Sequence, residues 1–135
     1  MAREPRHSPG SVNLRQEKDV FMSEEATKFF QEWPVRMSQA KAEAPEIAKA
    51  FGPFSQALMK EGALTVREKE LIALAIGLAL RCDRCINTHA EKALKAGATK
   101  EQILEAAGVA VMMQGGPAYT YLPNVVEAIR AVQQR

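Results

Sequence analysis

The spacing of apolar residues predicts helices along most of the chain. Two stripes with intervals of three and four positions contain Phe29, Phe30, Trp33 and Met37, then Ile47, Phe51, Phe54 and Leu58. The stretch 71–80 is apolar on every side, which predicts a buried central helix. A last stripe contains Leu122, Val125, Val126, Ile129 and Val132. No segment shows sustained period-two alternation, so the sequence predicts an all-α protein, a bundle of closely packed helices.

Capping residues and helix breakers predict the ends of these helices. Thr65 and Glu68 form a capping box before the apolar stretch, and Thr99 and Gln102 form a second one. Pro45 is expected in the first turn of a helix, where proline is well tolerated. The residues expected to kink or end helices are Pro34, Gly52-Pro53, Gly62, Gly97 and Gly115-Gly116-Pro117.

Residues 1–22 are polar and contain prolines, glycine and mixed charges, which predicts a flexible leader. Ser23 would then be the N-cap of the first helix, with Glu24 and Glu25 in its first turn. Residues 23–135 are of a length typical of one domain, and we expect a single helical domain there.

The charge distribution argues against two classes of partner. The formal net charge is +2, and no basic block with interleaved aromatic residues is present, so no nucleic acid is implied. The longest charge-free apolar run, 71–80, is too short to span a bilayer. The first residues lack an apolar signal core, and we therefore expect a cytoplasmic protein without a membrane partner.

The candidate chemistry lies in one short segment. Cys82 and Cys85 are the only two cysteines, and His89 follows one helical turn later, so the three can share a helix face. The first turn of a helix and the flanking charges of Arg81 and Arg84 favour a thiolate. Such a thiolate can attack a peroxide or a disulfide, and the neighbouring thiol then closes an intramolecular disulfide.

A pair of cysteines at this spacing is also half of a zinc site. Only Cys82, Cys85 and His89 are local ligands, and a fourth would be Glu70 or a residue of another chain. Three ligands on one helix are awkward for tetrahedral closure, so we favour redox chemistry. Spacing alone favours the interpretation of Glu70 as a solvated glutamate in the first turn of a helix over its interpretation as a functional carboxylate. No phosphate-binding glycine loop or dinucleotide fingerprint is present, and no organic cofactor is implied.

The spacing Glu70…Cys82-x-x-Cys85-x-x-x-His89 resembles the active-site signature of the AhpD-like alkylhydroperoxidases, within the carboxymuconolactone decarboxylase superfamily. The resemblance extends over roughly residues 45–133. It implies an all-helical AhpD-like bundle that assembles as trimers or hexamers. It also implies that Glu70, His89 and a water relay protons to the second cysteine. Cys82 and Cys85 would then cycle between dithiol and disulfide.

The leading functional hypothesis is a thiol-dependent antioxidant enzyme, a peroxidase or disulfide oxidoreductase. Its substrate would be a hydroperoxide or a partner disulfide, and its reductant a lipoyl-type or thioredoxin-like dithiol. One rival is a decarboxylase-like enzyme acting on a small lactone, although that branch of the superfamily generally lacks the cysteine pair. Another is a non-enzymatic metal-binding or redox-sensing assembly protein.

The apolar helices also predict self-association. The stretches 71–80 and 103–113 carry more apolar surface than one small domain can bury. Closed symmetry would cover this surface, and we expect a homohexamer, with a homotrimer next.

Overall fold

The computed structural model describes residues 14–135, and the side chains from residue 24 onward. Six helices follow one another, and the described part contains no strand, which confirms the all-α prediction. They are α1 (Leu14–Glu43), α2 (Pro45–Met59), α3 (Val66–Ala79), α4 (Asp83–Lys95), α5 (Lys100–Gln114) and α6 (Gly116–Gln133). None of the described helices combines the length and the hydrophobicity needed to cross a membrane.

Both predicted capping boxes are present. The Thr65 hydroxyl accepts from the Glu68 amide at 3.1 Å, and the Glu68 carboxylate accepts from the Thr65 amide at 2.7 Å. Thr99 and Gln102 repeat the arrangement at the start of α5, with distances of 3.1 and 3.0 Å. Each box satisfies backbone donors that the first turn of a helix leaves unpaired, so both helix starts follow from local sequence.

The beginning of the first helix differs from the prediction. Helix α1 begins at Leu14 and continues through Ser23, so Ser23 is not its N-cap. Of the predicted leader over 1–22, residues 14–22 are helical, and residues 1–13 lie outside the described residues.

Two prolines that were expected to interrupt helices lie inside them. Pro34 is within α1 and Pro53 within α2, and neither ends its helix. Both are exposed, so the ring of each proline meets solvent instead of a packed neighbour. Each removes only one backbone donor, and the hydrogen bonds of the flanking turns hold the helix together.

The main core lies between α3, α4, α5 and α6. Its largest fully buried side chains are Leu74, Leu78, Ile86, Ile103, Val125 and Ile129. Helix α3 buries only one side against these neighbours, and Ile72 and Ile76 on its other side are 47% and 54% exposed. The expectation of a helix buried all round is therefore wrong for the single chain, because α4 and α5 cover one side of α3 and nothing in the described chain covers the other.

Helix α1 packs outside this core, mainly on α6. Ala26 and Phe30 meet Ala131 in a second, smaller apolar cluster. The guanidinium of Arg135 lies 4.8 Å from the centre of the Phe30 ring and donates to Glu91 of α4 at 2.9 Å. The last residue of the chain thus ties α1 and α4 together.

Helix α2 buries none of its residues. The predicted stripe of Ile47, Phe51, Phe54 and Leu58 is present, but its members are 57–72% exposed. The helix is held at its end by Lys69 of α3, whose ammonium donates to the carbonyls of Leu58 at 2.8 Å and Lys60 at 2.6 Å. The apolar face of α2 is therefore exposed on the surface of the single chain.

Glu127 of α6 makes folding stability depend on pH. It is 8% exposed, and one carboxylate oxygen accepts from the Ala26 amide at 3.2 Å. Burial raises the pKa of Glu127 above 4.5, the Ala26 hydrogen bond opposes this rise, and the charge of Glu25 adds to it. The folded state therefore holds this proton more tightly than the unfolded state, so the free energy of unfolding falls as pH rises from about 4.5 through the raised pKa.

We predict that Glu127→Gln raises the free energy of unfolding at pH 7 by about 1 kcal/mol, because the neutral amide keeps an acceptor for Ala26 without burying a charge. The gain should vanish towards pH 4. Urea unfolding from pH 4 to pH 8 would measure it, with Glu61→Gln, exposed in the connection between α2 and α3, as control. Equal pH slopes for the wild type and Glu127→Gln would contradict the assignment.

Candidate redox active site

The corner between α3 and α4 places the two cysteines. Helix α3 ends with the Arg81 amide donating to the Leu78 carbonyl at 3.0 Å and the Cys82 amide donating to the Gly77 carbonyl at 2.9 Å. Arg81 has a left-handed backbone with φ of 53°. This pair of bonds is a Schellman motif, which satisfies the last carbonyls of α3 and turns the chain. Cys82 consequently becomes the N-cap of α4.

Cys82 and Cys85 are joined by a disulfide, and their Cα atoms are 5.2 Å apart. The Cys82 sulfur also accepts a hydrogen bond from the Cys85 amide at 3.2 Å, as an N-cap oxygen would. Both residues are half-buried, so the pair is reachable from solvent. The prediction that the cysteine pair begins a helix is confirmed, with Cys82 at the N-cap and Cys85 in the first turn. The partial positive charge at that end favours a thiolate once the disulfide is reduced.

Glu70 and His89 contact each other across the α3–α4 interface. The Nδ1 atom of His89 lies 2.6 Å from a carboxylate oxygen of Glu70. The Glu70 side chain is 5% exposed and that of His89 is 25% exposed, so the interpretation of Glu70 as a solvated residue is wrong. With the proton on Nδ1, His89 donates to the carboxylate and its Nε2 atom is free to accept a proton.

The contact joins the two helices that carry the site. Glu70 comes from α3 and His89 from α4, one turn after Cys85. The carboxylate fixes the orientation and the tautomer of the imidazole, which is what a proton-transfer group needs. The arrangement can thus move a proton near Cys85 without exposing the carboxylate to water.

Gly77 permits this packing, and the sequence reasoning did not identify it. A Cβ atom built on Gly77 would lie 2.9 Å from the Cβ of Cys85. Helix α3 therefore approaches α4 at the second cysteine as closely as it does because Gly77 has no side chain. A glycine inside an apolar helical stretch was the available signal, since glycine is costly there without a packing reason.

Two contacts from outer helices support the start of α4. The Asn124 amide of α6 donates to the Asp83 carboxylate at 2.7 Å. The guanidinium of Arg84 lies 5.2 Å from the centre of the Trp33 ring of α1. Both residues between the cysteines are thus tied to other helices, which holds the first turn of α4 in place.

The ligands considered for a zinc site have other partners. The two sulfurs are bonded to each other, and His89 contacts Glu70. Among the side chains described, those from residue 24 onward, no cluster of three histidine, cysteine or carboxylate groups has an arrangement suited to a metal ion.

We predict that Gly77→Ala lowers the free energy of unfolding by about 1–3 kcal/mol, the usual cost of overpacking. The added methyl group would force α3 away from Cys85. The matched control is Gly108→Ala in α5, where a Cβ atom meets nothing within 4 Å and alanine should stabilise by about 0.5–1 kcal/mol. Urea unfolding of both variants would decide, and equal stabilities would show that the contact at Cys85 is not tight.

Comparisons with known proteins agree on one family. The model of the carboxymuconolactone decarboxylase family matches residues 45–128. The uncharacterized protein 4 of the cox locus of Paracoccus denitrificans is 43% identical over 75 residues, which cover 56% of this chain and 68% of that protein.

Two solved structures have the same fold. A carboxymuconolactone decarboxylase family protein from Legionella pneumophila superposes with a TM-score of 0.68 at 33% identity, covering 87% of this chain and 96% of its own. A second family member, from Thermotoga maritima, has a TM-score of 0.63 at 28% identity, covering 73% and 91%. Since the family model spans more than half of the residues and the folds agree, the chain belongs to the carboxymuconolactone decarboxylase family.

Proposed function

We propose that this protein is a cytoplasmic thiol-dependent oxidoreductase that reduces hydroperoxides or partner disulfides through Cys82 and Cys85. The observation that carries the proposal is that α4 begins at the disulfide and also carries His89, one turn after Cys85, in contact with the buried carboxylate of Glu70. An exchangeable sulfur pair and an acid–base pair are the two components that such a reaction requires. The related protein from Thermotoga maritima has been suggested to take part in an antioxidative response, which supports the same class of chemistry.

The oxidative half-reaction begins from the dithiol. A cysteine thiolate attacks one oxygen of the hydroperoxide, so that an S–O bond forms and the O–O bond breaks, and the alkoxide that leaves takes up a proton to become the alcohol. His89, oriented by Glu70, supplies or removes protons in this step. The second cysteine then attacks the sulfenic acid, water leaves and the Cys82–Cys85 disulfide forms. Two electrons pass from the dithiol to the peroxide.

The reductive half-reaction returns the pair to the dithiol. An external dithiol attacks the disulfide, forms a mixed disulfide with one cysteine and then closes its own disulfide. A lipoyl-type or thioredoxin-like protein would supply these two electrons. Lactone decarboxylation would give the cysteine pair no role, so the disulfide favours the redox reaction.

We predict that Cys82→Ser and Cys85→Ser each abolish hydroperoxide turnover, because neither can complete the dithiol cycle. Glu70→Gln and His89→Ala should slow thiol oxidation by roughly tenfold to a thousandfold, the usual contribution of an acid–base group. Stopped-flow oxidation of the reduced protein by cumene hydroperoxide would measure the rate of thiol oxidation. Steady-state turnover with dithiothreitol or dihydrolipoamide as reductant would measure the complete cycle.

Glu61→Gln serves as a control, since this glutamate is exposed in the connection between α2 and α3. Circular dichroism should show that all variants remain helical. Peroxide-treated wild type should lose two hydrogens by mass spectrometry without forming cross-linked dimers. If both cysteine variants keep wild-type turnover, or if the wild type consumes no peroxide with any dithiol, the peroxidase proposal is wrong.

We also propose that the protein works as a homo-oligomer, with a hexamer favoured over a trimer. The support is the apolar surface that the single chain leaves open, on α2 and on the outer sides of α3 and α5. Besides the α2 stripe it includes Ile72, Ile76, Val109, Met112 and Met113, all at least 47% exposed. Exposed large apolar side chains that gather on the faces of three helices are typical of an interface.

We predict that the double change Phe51→Glu and Phe54→Glu dissociates the assembly, because it places charges in the centre of the α2 stripe. Light scattering coupled to gel filtration would give the mass of each variant. Gln56→Glu, on the opposite side of α2, should leave the mass unchanged. A wild-type protein that is monomeric at micromolar concentration would rule out the assembly.

A further inference from the structure

Arg81 occupies a backbone conformation that its residue type disfavours. It follows the C-cap of α3 with φ of 53°, and its amide and that of Cys82 make the two hydrogen bonds of the Schellman motif. A side chain at this position crowds the following carbonyl, which is why glycine is usual there.

The same chain shows the usual solution one helix later. Helix α4 ends with the Gly97 amide bonded to the Leu94 carbonyl at 3.0 Å and the Ala98 amide bonded to the Ala93 carbonyl at 2.9 Å. Gly97 has φ of 91° at the position that corresponds to Arg81. The corner before Cys82 therefore carries an arginine where the fold alone would favour glycine.

No contact in the described structure accounts for the arginine. Arg81 is exposed, and among the side chains described from residue 24 onward its guanidinium makes no hydrogen bond, ion pair or ring contact. Other arginines near the site are engaged, with Arg84 on Trp33 and Arg135 on Phe30. The nearest carboxylate in sequence, Asp83, accepts from Asn124. Arg81 thus presents an unpaired positive charge directly before Cys82.

We propose that Arg81 selects an anionic thiol or disulfide as the exchange partner of the Cys82–Cys85 pair. This role for Arg81 rests on one part of the proposed function, namely that Cys82 and Cys85 exchange with external thiols and disulfides. A guanidinium binds a carboxylate strongly, and the N-terminal end of α4 adds positive potential at the same place. Leu80, 71% exposed beside Arg81, offers an apolar contact, so the partner class is a carboxylate on a short apolar chain that ends in sulfur.

The exchange reaction can be tested without any peroxide. In the reduced protein one cysteine thiolate attacks a sulfur of the probe disulfide, and the first probe thiolate leaves. The second cysteine then attacks the mixed disulfide, the second probe thiolate leaves and the Cys82–Cys85 disulfide forms. Two protons are released, and two electrons pass from the protein to the probe.

Three probes with equal chain lengths separate charge from intrinsic reactivity: dithiodipropionate (anionic), hydroxyethyl disulfide (neutral) and cystamine (cationic). Second-order rate constants would be measured by stopped flow at low salt for wild type, Arg81→Gly and Arg81→Lys. Arg67→Gly, at the other end of α3, is the control for loss of a distant exposed arginine.

In water, one positive charge at about 7 Å speeds the reaction of an anionic probe about threefold and slows that of a cationic probe by about the same factor. Arg81→Gly removes both effects, so the ratio of the anionic to the cationic rate constant should fall by roughly tenfold. Arg81→Lys should keep most of the ratio, and Arg67→Gly all of it. Added salt should reduce the wild-type preference. Arg81→Gly should also raise the melting temperature, since glycine relieves the backbone.

An unchanged ratio in Arg81→Gly, an equal loss with all three probes, or a wild type that reacts with none of them would overturn the proposal. A lower melting temperature for Arg81→Gly would show that the side chain has a structural role and would overturn it too. If the charge preference is present but the wild type reduces no peroxide, the peroxidase proposal fails while the role of Arg81 stands.

Discussion

The contact between Glu70 and His89 is the interaction on which the candidate site depends. A buried carboxylate is costly unless another polar group compensates it, and here the compensation comes from the adjoining helix. The 2.6 Å distance is possible only if α3 and α4 lie close together, and the missing side chain at Gly77 allows that approach beside Cys85. Packing and acid–base chemistry are therefore set by the same pair of helix faces.

The disulfide is part of the helix structure as well as of the chemistry. Cys82 takes the place that serine, threonine or aspartate usually occupies at an N-cap, and its sulfur accepts from the Cys85 amide. After reduction of the disulfide, the N-cap side chain would be a thiol or a thiolate, and the thiolate is the better hydrogen-bond acceptor of the two. The start of α4 can thus adapt to either oxidation state with little rearrangement, because the amide donor is already in place.

How far the sequence predicts this structure depends on the range of the interactions involved. Capping boxes and the start of α4 at the cysteines depend on neighbouring residues, and the structure confirms them. The burial of Glu70 could not follow from spacing, since it results from α4 folding over it. The one-sided burial of α3 depends likewise on which neighbours cover it. The left-handed Arg81 was unpredictable because only the geometry of the turn shows it.

Proline positions illustrate the same limit. Pro34 and Pro53 have the local signature of a break, yet α1 and α2 continue through them. The cost of a proline is one lost hydrogen bond and a steric contact, and both helices tolerate this on an exposed side. A helix-breaking residue therefore adds a free-energy cost, and the helix continues wherever its other interactions outweigh that cost.

The proposed chemistry is contained in a single helical hairpin. Glu70, Gly77, the disulfide and His89 all fall between residues 70 and 89, on two helices joined by a three-residue corner. The apolar groups that would contact another subunit lie on other faces, on α2 and along the outer sides of α3 and α5. Assembly and reactivity therefore use different surfaces. Changes on those outer faces could alter the assembly while the hairpin keeps its acid–base pair and its sulfurs in register.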